Sequence, residues 1–374
     1  MPSRSRTWRV TQADCFTAIA KLAADSVDAV ITDPPYGIGV NGMAWDRPGK
    51  LDPNLPPGKR RAAHTNPIDC FQDFSREWAL ACARVLKPGG HLAAFAAPRT
   101  FHRLTCGLEE AGFEVRDVLM WLQGQGYPAT RVLPDGLGTG LKPCWEPIVL
   151  ARRPMQDTLD ATLAEHGTGA MNIDPCRIPL TAEDCPTEAR AHGRRITANQ
   201  RGRWPSNLLL SHGRDCSTEC CEADCPIALL GDRHRFFYAA KAPRRERDAG
   251  CELLPKQVVQ TFKIGAHNER MCAENPVANL HPTVKPIDLM RWLVRLLTPK
   301  GGLVLDPFTG SGSTGAGCVL EGRCFHGIER EPQYVPIAQA RISYWAGQKK
   351  SAARSPRTRG ADCRRTPAKS RTRR

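Results

Sequence analysis

The sequence predicts an α/β fold with a mostly parallel sheet, and three observations carry that expectation. Strands and crossover helices alternate from Trp8 to Ala151, the pattern that parallel sheets require. An apolar run, Leu303 to Leu305, ends at Asp306 and passes through Gly310, Ser311 and Gly312 into a helix opening near Ser313 or Thr314. A further strand, Cys324 to Ile328, then delivers Glu329, about 20 residues after the turn, where nucleoside-binding folds place an acid for ribose hydroxyls.

The glycine turn is chemically specific in two ways. A Cβ there would block both the turn and the approach of a ligand to bare backbone, and the first N–H groups of the following helix favour an anionic group. No Lys-Ser or Lys-Thr pair follows the glycines, which argues against a nucleoside triphosphate loop. Packing alone also produces such turns, so a reactive group must be found elsewhere.

The N-terminal elements begin with a short strand at Val10, an amphipathic helix from Phe16 to Leu22 and a buried strand at Val27 to Ile31. That strand runs into Asp33-Pro34-Pro35-Tyr36. Two prolines cannot continue a ladder, so the strand must stop there and hold the next residues stiffly at its carboxyl edge, where open α/β sheets bind ligands. Gly37 to Asp69, with Trp45-Asp46 in its middle, is expected to be a long loop. Helix at Phe71 to Leu86, a Lys87-Pro88-Gly89-Gly90 turn, strand at His91 to Phe95, helix at Phe101 to Ala111, and strands at Glu114 to Trp121 and Pro143 to Ala151 follow.

An exocyclic amine on a nucleobase is a poor nucleophile because the ring withdraws its lone pair. A carboxylate such as Asp33 and a carbonyl such as that of Pro34, each accepting one N–H, would draw the nitrogen toward tetrahedral geometry and steady its developing positive charge. Tyr36 offers a face on which a base can stack.

With these motifs in hand, the chain resembles the beta class of S-adenosylmethionine-dependent DNA amino-methyltransferases, especially prophage or phage-type adenine methylases. The resemblance spans about Val10 to Ile342 and rests on Asp33 to Tyr36, on Asp306-Pro307-Phe308-Thr309-Gly310-Ser311-Gly312, and on His281-Pro282-Thr283-Val284-Lys285-Pro286. It implies a Rossmann-like methyltransferase fold with a seven-stranded sheet, circularly permuted, holding an inserted target-recognition region. The implied division is a catalytic half at residues 1–151, an irregular insertion at 152–280, a cofactor-binding half at 281–346 and a basic tail at 347–374. Phe308, Gly310 and Gly312, with Asp306 and Ser311, would line the cofactor; Thr314 and Lys285 would approach its methionine part, Glu329 its ribose, and Asp14 with Cys15 its adenine. Asp33, Pro34, Pro35 and Tyr36 would hold a flipped base. Methyl transfer would be direct, and no cysteine is assigned as a nucleophile. Asp rather than Ser at the first motif position favours adenine N6 over cytosine N4. Cytosine N4, an RNA substrate and a DNA-binding regulator without turnover stand as alternatives.

Composition agrees with a cytosolic partner of nucleic acid. No apolar run could span a bilayer, so no membrane association is expected, and no secretory signal follows MPSRSRTWRV. The net charge is +15, and ten of those charges fall from Gly347 onward, where eleven Lys and Arg meet the single Asp362. That tail is expected to be disordered and to attract the backbone of double-stranded DNA without reading its sequence. Monomer and homodimer stay open. The sixteen cysteines are expected to be reduced. Among them His212, Cys216, Cys220, Cys221 and Cys225 form a cluster from which His212, Cys216, Cys220 and Cys225 are taken as the ligands of a structural zinc.

Overall fold

Every residue from Val27 to Thr32 is buried, as expected of a strand in the middle of a sheet covered on both faces. The structure, a computed structural model, describes residues 7–39, 46, 67–123, 133–141, 143–180, 201–212, 225–231, 237–240, 246–258 and 276–354, with 189–191, 194–196, 216, 221, 234, 262–264 and 270–272. The chain opens with β1 (Trp8–Gln12), α1 (Cys15–Ile19) and β2 (Val27–Thr32), then α2 (Pro67–Val85), β3 (Leu86–Phe95), α3 (Phe101–Glu110), β4 (Glu114–Leu122) and β5 (Trp145–Arg152). The middle holds α4 (Leu159–His166), the hairpin β6 (Ala189–Ala191) with β7 (Arg194–Ile196), β8 (Leu208–Ser211), α5 (Pro226–Leu230) and β9 (Tyr238–Ala240). Two small pairs follow, β10 (Gln257–Val258) with β13 (Pro276–Val277) around β11 (Phe262–Ile264) with β12 (Arg270–Cys272). The chain then continues through α6 (Ile287–Leu297), β14 (Leu303–Asp306), α7 (Ser313–Glu321), β15 (Cys324–Glu329) and α8 (Val335–Arg354).

The main sheet has nine strands in the order β1-β15-β14-β2-β3-β5-β4-β8-β9, not the seven expected. Only β5 runs against its neighbours, so the sheet is mostly parallel as anticipated. The two extra strands come from the insertion: β8 extends the sheet beside β4, and β9 pairs with β8. Each is only three or four residues long, too short to show a period in a sequence otherwise rich in Gly, Pro and charge.

The late strands β14 and β15 sit between the early strands β1 and β2. This is the permuted order in physical form, because Val304 and Leu305 pair with Ala29 and Val30 across most of the chain. Asp28 reinforces the join by accepting from the Leu303 backbone N–H at 2.6 Å and from Lys87 at 2.6 Å. Between β2 and β3 the register moves from Val27 opposite Leu86 to Ala29 opposite His91. The Lys87-Pro88-Gly89 stretch is therefore a bulge within one strand rather than the turn ahead of it, with Gly89 at φ +72°.

Two apolar layers cover the sheet. On one face α1, α2 and α3 bring Ile19, Phe71, Trp78 and Leu104, and on the other α6 and α7 bring Leu289, Trp292, Leu293 and Val319. Helix α6 buries eight of its residues and has Asp288 in its first turn and Arg295 in its last, both matched to the helix dipole. Helix α8 continues to Arg354, eight residues into the segment expected to be a disordered tail. Residues 355–374 lie outside the described residues.

Candidate active site

Strands β2 and β14 are neighbours and point the same way, so the segments leaving their carboxyl ends meet. The hydroxyl of Thr32, the last residue of β2, donates to Asp306 Oδ1 at 2.6 Å, tying the two ends together. Between them lies an open cleft, whose walls include Asp33, Lys285, Asp306, Phe308, Gly310 and Thr314. The two motifs that lie farthest apart in sequence thus share one cavity.

The Asp33-Pro34-Pro35-Tyr36 segment is held by residues that come from elsewhere. Asp46 is fully buried, and its Oδ1 accepts the backbone N–H groups of Tyr36 at 2.5 Å and Gly37 at 3.0 Å. Thr100 donates to the Tyr36 carbonyl at 2.7 Å. Asp33 itself belongs to a compact polar group. Lys285 Nζ lies 3.0 Å from Asp33 Oδ2, 3.1 Å from Glu146 Oε2 and 3.0 Å from the Tyr36 hydroxyl. That hydroxyl lies 2.8 Å from Asp33 Oδ1 and 2.9 Å from Glu146 Oε2.

This group adds to the expectation in one respect. The resemblance places Lys285 near the methionine part of a cofactor, and in the structure its ammonium also contacts two carboxylates while lying on the cleft wall. Burial alone would discharge Lys285, but Asp33 and Glu146 outweigh it and move its pKa upward. Burial, then Asp33 and Glu146, push the Tyr36 hydroxyl well above its ordinary value, so it stays protonated. Glu146, the second residue of β5, carries no motif in the sequence. Its only signal there is a lone acid at the head of an otherwise apolar strand, Trp145–Arg152.

The glycine turn is built from below. Gly310 and Gly312 have φ of +51° and +78°, where only glycine sits without strain. A Cβ on Gly310 would lie 2.5 Å from His281 Nε2, and one on Gly312 would lie 2.9 Å from the Ala338 Cα in α8. The obstruction that requires glycine here is thus the protein's own packing. His281 is buried and neutral, its pKa lowered to about 3 chiefly by burial, and its Nδ1 lies 2.8 Å from the Thr283 carbonyl. Arg341 reaches from α8 to the Ser311 carbonyl at 2.7 Å and to the hydroxyls of Ser311 and Ser313 at 3.1 Å each.

Glu329 and Asp306 are likewise structural anchors of the turn. Glu329 accepts from Gly310 N at 2.7 Å and Glu331 N at 2.8 Å. Burial raises its pKa, and those two N–H groups pull it back. Asp306 accepts from Phe308 N at 3.1 Å, and burial raises it to about 7 against the opposing bonds from Thr32 and Thr314. Phe308 packs edge-on against Trp78, with centroids 5.7 Å apart. Asp14 caps α1 by accepting from Phe16 N at 3.0 Å, and Cys15 is buried in the first turn. Both follow β1, whose Gln12 pairs with Glu329, so Asp14, Cys15, Glu329 and the turn lie along one edge.

Three of the four expected metal ligands lie among the described residues. His212, Cys216 and Cys225 come together, joined by Cys221. Cys220 lies outside the described residues.

A family model described as DNA methylase matches residues 27–340. The chain is 23% identical over 337 residues to the type II methyltransferase M.HpaI of Haemophilus parainfluenzae, covering 89% of this chain and 74% of that protein. It is 33% identical over 119 residues to the type II methyltransferase M.Cfr9I of Citrobacter freundii, covering 31% and 35%. Among solved structures, the cytosine-N4-specific PvuII DNA methyltransferase superposes with a TM-score of 0.52 at 15% identity, covering 92% of this chain and 93% of that one. Its likeness concerns the fold. With both motifs meeting in one cleft and the family model spanning them, the chain belongs to the N6/N4 family of DNA methylases, the amino-methyltransferases of DNA.

Proposed function

We propose that this chain methylates the N6 amine of adenine in double-stranded DNA, with S-adenosylmethionine as the methyl donor. The observation that carries the reading is that Asp33 lines the same cleft as Phe308, Gly310 and Thr314, so an amine acceptor and a donor-type glycine turn face one space. Asp at the first motif position supports adenine over cytosine.

The residues present fit the donor. Phe308, Gly310, Gly312 and Thr314 would hold it, with Ser311 and Asp306 shaping the turn. Glu329 already accepts two backbone N–H groups, and a carboxylate has lone pairs left for ribose hydroxyls. Asp14 and Cys15 would border the adenine. The donor supplies an electrophilic methyl group on a sulfonium.

The rest of the chemistry falls to the chain. The Asp33 carboxylate and the Pro34 carbonyl accept the two amine N–H groups. Lys285, Glu146 and Tyr36 fix the Asp33 carboxylate in place, so little reorganisation is needed when charge develops. One cation between two carboxylates leaves this group with net negative charge, which favours a positive charge on the attacking nitrogen. The Tyr36 ring would stack on the base, worth about 1–3 kcal/mol, against a flipping cost of a few kcal/mol. Residues 152–280 would read the target sequence. Support comes from Trp204, which is 64% exposed with the Arg177 guanidinium 5.1 Å from its ring centroid, a pairing suited to stacking against nucleic acid.

The test is single-molecule sequencing, able to tell N6-methyladenine from N4-methylcytosine, of DNA from a methylation-free host expressing the chain beside an Asp33→Ala control. Methylated adenines at a repeated short motif, absent in the control, are expected. Methylated cytosine would overturn the base assignment, and unmodified DNA would overturn the activity.

A further inference from the structure

We infer that His212, Cys216, Cys221 and Cys225 form a closed zinc site that clips the insertion to the edge of the main sheet. The ligand atoms of all four residues lie within 4.8 Å of one another, with His212 Nδ1 3.3 Å from Cys221 Sγ and 3.9 Å from Cys225 Sγ. Zinc–ligand bonds of about 2.0–2.3 Å in a tetrahedron separate the ligands by roughly 3.5–3.8 Å, so shifts of about 1 Å or less in either direction suffice. A disulfide would use two of the sulfurs and leave the imidazole and third thiol without a purpose, whereas one tetrahedral cation uses all four.

The surroundings explain why a metal belongs there. His212 directly follows β8, and Cys225 precedes α5. Among the described residues the apolar cluster beneath them buries only Leu210, Cys225 and Ile227, with Leu230 and Phe237 at its margin. So small a core gives little stability of its own, and a structural metal is one of the few devices that compensate. The clip would secure β8 beside β4, where Trp121 Nε1 donates to Ser211 at 2.8 Å. It would also steady the path to β9, whose Tyr238 ring stacks on Trp292 at 5.4 Å between centroids.

Three thiolates and one imidazole favour zinc over harder cations. On binding, the three thiols release their protons to solvent and the imidazole binds as the neutral base through Nδ1. With four protein ligands no position is left for water or substrate, so the site is structural. None of the four residues lines the catalytic cleft, and the inference stands apart from the methylation reading.

The test uses the full chain, purified without a metal-binding tag, and reads zinc by mass spectrometry. About one zinc per chain is expected, kept by Cys220→Ser and lost by Cys221→Ser and Cys225→Ser. Because those two variants could misfold, the metal-stripped wild-type chain is also titrated with Co²⁺, where intense thiolate-to-cobalt charge transfer and tetrahedral ligand-field bands are expected and zinc should abolish them. Zinc-free protein with no such cobalt spectrum would overturn the site. Retention of zinc by Cys221→Ser together with its loss from Cys220→Ser would overturn the ligand set.

Discussion

Replacing Lys285 with methionine isolates the one cation shared by Asp33 and Glu146. Its side chain is only 6% exposed, with Nζ 3.0 and 3.1 Å from the two carboxylates. At about 3 Å and an effective dielectric near 20, each attraction is worth roughly 5 kcal/mol before desolvation is subtracted. Removing one partner from such a buried set costs about 3–5 kcal/mol, and the low end applies because both carboxylates remain 19% exposed. Lys285→Met leaves two carboxylates bridged by the Tyr36 hydroxyl, at 2.8 and 2.9 Å. The two like charges then repel without the cation between them, and Asp33 is no longer held in place to accept from the amine. Single-turnover rates should fall about 10²–10³-fold, while donor affinity measured by calorimetry changes no more than about threefold. The opposite split, with donor affinity lost and the rate on saturated enzyme intact, would refute the linkage and return Lys285 to a donor-binding role.

Gly310→Ala should destabilise the fold by about 1–3 kcal/mol, because its Cβ would press on the His281 ring; urea melts of a cycle with His281→Ala should show that the two losses are less than additive. His91, 4% exposed on β3, has its pKa pushed down from 6.5 to about 4 by burial, aided by Arg152 and Arg116. The unfolded imidazole therefore protonates first on acidification, and stability that is complete above pH 6.5 is lost through the window down to about 4, on the order of 3 kcal/mol in all. His91→Leu should lessen the fall of the urea midpoint across that window, the rest coming from other buried histidines such as His281 and His326, and an unchanged slope would refute it. Deleting residues 355–374, which carry eight Lys and Arg and the single Asp362, should weaken DNA affinity at low salt and shrink its salt dependence without altering the methylated motif; filter binding and sequencing check the two halves.

The fold was legible where local signals agreed. Val27 to Ile31 is apolar at four of five positions and stops at two prolines, so both the strand and its carboxyl edge could be named from sequence. The glycine turn was equally plain, and the positive φ of Gly310 and Gly312 agrees with it, but the sequence does not show that a Cβ there would also meet His281 and Ala338. Those contacts belong to elements that pack on the turn from other parts of the chain. Strands β8 and β9 escaped notice because short segments at a sheet edge draw their order from neighbours rather than from a period of their own. Cys221 joins His212, Cys216 and Cys225 because of where its side chain points, which spacing in an irregular loop does not encode.

The catalytic group shows most clearly what a motif leaves out. Asp33 to Tyr36 is contiguous, yet its electrostatics are set by Glu146, 110 residues from Tyr36, and by Lys285, 249 residues away. On the proposed reading, those partners bear on the charge at the amine acceptor as well. With serine at position 33, Lys285 would face Glu146 alone and the group would be neutral; with aspartate it carries a net negative charge. An acceptor of either type can hold an amine N–H, but only the charged group also offsets the cation that forms on nitrogen. The aspartate's contribution therefore depends on Lys285 being already balanced by Glu146, for an unbalanced lysine would cancel the charge that aspartate brings. The identity of the first motif residue and the presence of an acid at the head of β5 thus act as one determinant.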